Sequence, residues 1–228
     1  MEPEGYEPLS GRAKWARRAL VTLIALDAIS VVSGYFEYSL YGQDVITQGE
    51  LDANDLRQGL VALLDFTAFV VVVVMFIRWF KRAYANLPAL GVPKLRYRRG
   101  WAIWGWFVPF LNFYRPKQLA NDIWRGSDPA APIERDADWD RRPVPALFQW
   151  WWGVYLCWGF LYNVAFRISA TGGKDASSLQ DDAAAYMVAD SVSVLGAILA
   201  LLVVRAATTR QEERAARLAS APIAPQTA

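Results

Sequence analysis

Between residues 60 and 77 the chain reads LVALLDFTAFVVVVVMFI, where only Asp65 and Thr67 interrupt apolar or small side chains. As a helix rising about 1.5 Å per residue, such a run approaches the ~30 Å of hydrocarbon in a bilayer. Three further windows, about 19–41, 146–168 and 184–204, carry few charges and are each long enough to span. Buried soluble helices would not recur at this length four times in 228 residues that are 54% hydrophobic. The expected fold class is an all-α membrane protein, with four transmembrane helices and a cytoplasmic interfacial helical segment between the second and third. Arg12, Lys14, Arg17 and Arg18 precede the first window, as in a signal peptide. Its apolar stretch outruns the ~7–15 residues of a signal's apolar region, so an uncleaved helix is expected.

Positive residues are retained on the cytoplasmic side, and their distribution predicts the orientation. Four lie before the first window, thirteen lie in the loop 78–145, and Arg205, Arg210, Arg214 and Arg217 follow the last window. Only Arg57, Arg167 and Lys174 remain for the other side. The chain is expected to be multi-pass in a bacterial cell membrane, with both termini and the long loop cytoplasmic and residues 42–57 and 169–183 outside. MEPEGYEPLSG and ASAPIAPQTA are too poor in apolar residues to build a core. Residues 1–14 and 207–228 therefore read as cytoplasmic tails around a membrane domain over 15–206, with TTRQEERAARL continuing the last helix as a polar extension.

Residues 105–129, GWFVPFLNFYRPKQLANDIWRGSDP, stand out within the loop. Trp101, Trp104, Trp106, Phe107, Phe110, Phe113 and Tyr114 favour the membrane–water boundary, where an aromatic body meets lipid and a polar edge meets water. The run is too short to cross, and Pro109 opposes a straight span. Pro116 suits the start of a short helix after Arg115, with Leu119 and Ile123 on one stripe, Trp124 beside it and Gly126 at its end. One reading is a membrane-resting connector. The sharper one is a lipid or partner platform made of Trp106, Asn112, Arg115, Lys117, Asn121, Asp122, Trp124 and Arg125, whose cations suit anionic lipid headgroups. Thirteen Lys and Arg against six acids (Asp122, Asp128, Glu134, Asp136, Asp138 and Asp140) make the loop basic. Retention of positive charge inside explains this excess without nucleic acid, for which the aromatics would have to leave lipid.

The elements W-F-x-P-x-x-N, R-P and D-I-W-R-x-S-D-P within GWAIWGWFVPFLNFYRPKQLANDIWRGSDP resemble the hallmark of an actinobacterial family of polytopic membrane proteins, domain of unknown function 4328. The resemblance implies a four-helix membrane domain over about residues 15–206. Its signature positions here are Trp106, Phe107, Pro109, Asn112, Pro116, Trp124, Arg125, Ser127, Asp128 and Pro129. It supplies no activity.

Charged groups within spans cost about 2.5–3.5 kcal/mol on insertion scales, which singles out Glu37, Asp65, Arg167 and Asp190 as an intramembrane polar cluster opening outward. Asp27, Ser30, Gly34, Glu37 and Tyr41 share one face of the first helix, as do Tyr186, Asp190, Ser193, Ala197 and Ala200 on the last. The third offers Tyr155, Gly159, Tyr162 and Phe166, with Asn163 adjacent. Arg167 is expected to pair with Glu37 or an Asp, and Asp27 to stand alone nearer the cytoplasm. The cluster reads either as helix glue or as a vestibule for a cation, proton or small polar ligand.

The sequence has no His, which removes Ser-His-Asp chemistry and mixed Cys/His zinc sites. The single Cys157 reads as packing, and TGGK at 171–174 lacks the phosphate-loop spacing. No cofactor, metal or catalytic residue is expected. Three function classes follow: a non-catalytic membrane scaffold or regulatory partner, a small transporter or channel-like module using the acids, and a lipid-acting enzyme relying on Asp122, Asp128 and neighbouring Arg residues. The partners expected are membrane lipids with anionic headgroups, and a membrane-protein partner or a second copy of the chain.

Overall fold

The computed structural model describes residues 3, 5–133 and 138–221. Glu134 and Asp136 of the loop and the end of the C-terminal tail lie outside them. The described residues are helical, without strands: α1 Ser10–Tyr41, α2 Gln48–Ala85, α3 Trp101–Trp104, α4 Arg115–Gly126, α5 Ala146–Thr171 and α6 Ala176–Ser220, with short 3-10 turns at Leu87–Leu90, Leu111–Phe113 and Trp139–Arg141.

Two helices start well before the apolar windows, for local reasons. At the head of α2, the Thr47 hydroxyl accepts from the Glu50 backbone N–H at 3.3 Å, while Glu50 Oε2 accepts from the Thr47 N–H at 2.8 Å. This capping box starts the helix within a polar stretch. At the head of α6, Asp175 accepts from the Ser178 N–H at 3.3 Å.

Three helices, α1, α2 and α6, are long and apolar enough to cross a membrane. The fourth expected span coincides with α5, whose 26 residues are long enough. Its Trp and Tyr side chains, with polar N–H and O–H edges, leave it less apolar than the other three.

The chain divides into two compact units. The first holds Arg18–Val74 and Gln149–Leu201. It exposes Val32, Leu60, Leu63, Phe66 and Val70 while burying Asp27, Ser33 and Asn54, an inversion of the usual soluble pattern. Gly34 lets α1 and α6 approach, since a Cβ there would meet Met187 Cγ at 2.6 Å. Along α5, Trp152, Tyr155, Trp158 and Tyr162 form a ladder with successive centroids 5.0, 6.1 and 6.0 Å apart, ending on Tyr186 of α6 at 5.7 Å. The expected α5 stripe is only half right: Gly159 has open space at its Cβ position, and Phe166 is exposed. Cys157, read as packing, is exposed too.

The second unit holds Met1–Arg17, Met75–Phe148 and Leu202–Ala228. Its core includes Trp79, Phe80, Tyr84, Leu119, Ile123, Phe148, Val203 and Val204. Structure extends into both expected tails, toward the two termini. Tyr6 and Leu9 are buried, with Tyr6 joining Leu90 and Ala215 in one apolar cluster. α6 continues to Ser220 as the predicted extension, with Gln211 and Arg214 fully buried. Two apolar residues suffice at the N-terminus because the rest of the unit supplies their core.

Candidate functional site

The aromatic segment is not one interfacial helix. Glycines at 100 and 105 bracket the single turn of α3, Pro109 follows, and Phe110 adopts φ 63° before the 3-10 turn Leu111–Phe113. A non-glycine residue at positive φ carries about 1–3 kcal/mol of strain and persists only where its surroundings hold it. The effect is to turn Phe110 outward, where it is 80% exposed, beside exposed Trp104, Phe107, Phe113 and Tyr114. Trp106 points the other way, edge-on to Phe76 and Phe80 with centroids 5.6 and 5.5 Å away.

α4 begins and ends as its sequence predicts. Pro116 occupies its first turn, Leu119 and Ile123 are buried, and the helix closes at Gly126, where a Cβ would meet Val92 Cγ2 at 2.7 Å. Its polar groups turn largely inward. The Arg115 guanidinium lies 3.9 Å over the Tyr97 ring and 5.2 Å over Trp101. Lys117 donates to Asn121 Oδ1 at 2.7 Å, and burial with the nearby Arg125 charge pushes its ammonium down to about 8. Arg125 donates to the Arg142 carbonyl at 2.8 Å. Asp122 is wholly buried with Arg96 3.5 Å away, and burial pushes its carboxyl up to about 6 against the pull of Arg96 and Arg125. Asn112 keeps a buried side-chain oxygen without a hydrogen bond. Trp124 lies tilted against Phe148, with ring centroids 5.3 Å apart, and carries the Arg210 guanidinium 4.2 Å over its ring.

The loop is held by a buried polar network that sequence reasoning missed. Gln211 Nε2 donates to the Ala83 carbonyl at 3.1 Å and the Ser127 hydroxyl at 2.8 Å. Arg214 donates to the carbonyls of Leu90, Ala131 and Pro132 at 3.3, 2.6 and 2.5 Å. Asp128 ties together Arg142 at 3.1 Å and Arg210 at 2.9 Å. The available signal was the spacing of Ala207, Gln211, Arg214 and Ala215, one α6 face mixing small residues with polar ones.

In the membrane-type unit, the expected cluster regroups. Asp27 is buried and interacts with Asp65, Asp190 and the Ser193 hydroxyl. Ser30 donates to Asp190 at 2.7 Å. Asp27 therefore joins the acids from which it was separated. Counting along the helices from Tyr41, Ala176 and Gln48 gives about 21 Å for Asp27 and Asp190 and about 25 Å for Asp65, similar distances once the capped starts of α2 and α6 are included. Glu37 lies elsewhere, accepting from Asn54 at 3.2 Å and from Gln58. The cation beside it is Arg57, bonded to Ser33 Oγ at 3.1 Å, whereas Arg167 turns to Asn163 at 2.9 Å. Among the described residues, no His, Cys, Asp and Glu group has the arrangement to hold a metal ion.

The family described as Domain of unknown function (DUF4328) matches residues 43–209. No curated protein and no solved structure matches the chain.

Proposed function

We propose that this chain, which belongs to the DUF4328 family, is a four-span protein of the bacterial cell membrane that acts as a non-catalytic scaffold or regulatory partner. In this reading, its aromatic loop rests on the inner leaflet. The observation that carries the proposal is the turn at Phe110, which presents Trp104, Phe107, Phe110, Phe113 and Tyr114 outward together. Exposed aromatics grouped this closely along the chain suit lipid or a protein partner at the boundary. The polar groups of α4 serve the platform as its internal frame: Arg115 is stacked on rings and Arg125 is bonded to backbone, arrangements suited to positioning. Lys and Arg placement supports cytoplasmic termini, and α5 completes an even number of crossings.

A nitroxide attached at position 110 on a Cys157→Ala background tests this reading in nanodiscs. The label is expected to relax with oxygen dissolved in lipid, while a label at Arg98 responds to a water-soluble nickel chelate. A water-accessible label at 110 would overturn the platform.

A second reading rests on the convergence of Asp27, Asp65 and Asp190. Three acids on three helices at similar depth suit a small transporter of protons or cations. Asp65→Asn and Asp190→Asn should then abolish flux in liposomes while leaving the fold intact. Absence of flux in the unmodified protein under proton and cation gradients would remove this reading.

A further inference from the structure

Where α6 passes from its apolar stretch into its polar extension, Leu202, Arg205 and Thr209 lie on one face and border an open groove of about 580 Å³. Leu147 at the start of α5 and Trp124 of α4 form other parts of its wall, and Arg210 lies alongside. The two arginines differ in their commitments. Arg210 is held by Asp128 at 2.9 Å, by the Trp124 carbonyl at 3.1 Å and by the Trp124 ring. Arg205 is exposed, and no carboxylate among the described residues pairs with it. Glu213 also lines the groove, but it lies eight residues beyond Arg205, about 12 Å along the helix. Positive charge is thus concentrated at the end of the groove nearest the apolar part of α6.

We propose that this groove binds one anionic phospholipid, with its phosphate on Arg205 and the Thr209 hydroxyl and the upper part of an acyl chain along Leu147 and Leu202. The occupant follows from charge complementarity at one end and apolar lining at the other. A soluble phosphate would leave Leu202, 42% exposed, uncovered, and a neutral lipid would leave Arg205 unmatched. Arg210 contributes by holding Trp124 as the groove wall. This inference goes beyond the platform reading and shares with it only the premise that α6 spans a membrane. The lipid site lies apart from the cations of α4 that sequence reasoning selected, which the fold spends on its own rings and carbonyls.

The test uses the full chain in phosphatidylcholine nanodiscs carrying spin-labelled phosphatidylglycerol, with the motionally restricted lipid measured by electron paramagnetic resonance. Phosphatidylglycerol is expected to associate about tenfold more strongly than spin-labelled phosphatidylcholine, a preference of roughly 1.4 kcal/mol. Arg205→Ala should reduce that preference nearly to zero, while Arg98→Ala, elsewhere in the basic loop, leaves it unchanged. Leu202→Gln should weaken phosphatidylglycerol association while leaving any retention of inorganic phosphate alone unaltered. Undiminished preference in Arg205→Ala would overturn the proposal, as would displacement of the lipid by inorganic phosphate, which would identify a free-anion site. The result is independent of the depth of position 110, so the two readings fail separately.

Discussion

Asn86 donates its side-chain amide to Gln211 Oε1 at 3.0 Å, and both side chains are wholly buried. Each also has other partners. Asn86 exchanges hydrogen bonds with the Glu7 backbone, receiving from its N–H at 3.2 Å and donating to its carbonyl at 2.8 Å, and it receives from Arg82 at 2.8 Å. Gln211 reaches Ala83 and Ser127. A buried amide pair satisfied in this way links the N-terminal segment, the end of α2, the end of α4 and the extension of α6. Removing one partner leaves the other unsatisfied in a dry interior. Gln211→Leu is expected to destabilise this unit by about 2–3 kcal/mol, seen as a lower melting temperature by near-ultraviolet circular dichroism.

Arg214 extends the same logic to the loop after α4. Its guanidinium serves three backbone carbonyls, so Arg214→Met should cost about 3 kcal/mol or more and expose residues 128–133 to protease before global unfolding. Equal cleavage rates for variant and parent would contradict that role.

The packed face of α1 and the bounds and buried stripe of α4 were legible in the sequence. Spacings of three and four residues place Asp27, Ser30 and Gly34 on the face of α1 that meets α6, and Pro116 and Gly126 bound α4. The grouping of acids was not legible from apolar windows, because hydropathy stops where polar side chains begin while the backbone helix continues to its cap. Thr47 with Glu50 held that information locally. The buried network stayed hidden for a different reason: RQEER reads as a solvated run until neighbouring segments cover one of its faces. Similarly, seven aromatics in fourteen residues pointed to an exposed aromatic segment, but the backbone turn at Phe110 depends on how the flanking segments are held.

Asp122 should make stability depend on pH. Burial raises its folded-state pKa from 3.8 to about 6, so between these values the folded protein binds more protons than the unfolded chain. Its contribution to stability is present in full below pH ~4 and is lost as pH rises through ~6. Asp122→Asn is expected to remove this component, so the melting-temperature difference between variant and parent should change by several degrees from pH 4 to 7 and then level off. A constant difference across that range would show that the buried carboxyl does not titrate there.

Gly34 and Met187 supply a test of helix approach. Gly34→Ala should cost about 1–3 kcal/mol, because the new Cβ would meet Met187 Cγ at 2.6 Å, and adding Met187→Ala should recover part of that loss. Additive losses in the double variant would separate the two positions.

Phe110→Gly should increase stability in detergent by about 1 kcal/mol by relieving the positive φ, while weakening the lipid contact that the platform proposal assigns to the loop. A decrease in thermal stability would show that the Phe110 ring packs within the protein and would argue against an outward role.

The buried amide link also sets an order of assembly. Glu7 leaves the ribosome early and Gln211 more than two hundred residues later, after α1, α2 and α5 have all been synthesised. The unit that holds the aromatic loop therefore cannot close until the end of α6 emerges. Until then, Tyr6 has Leu90 but lacks Ala215 and Leu218, so a nascent chain halted before residue 211 should leave its first residues more open to protease and to chaperones that bind exposed apolar segments.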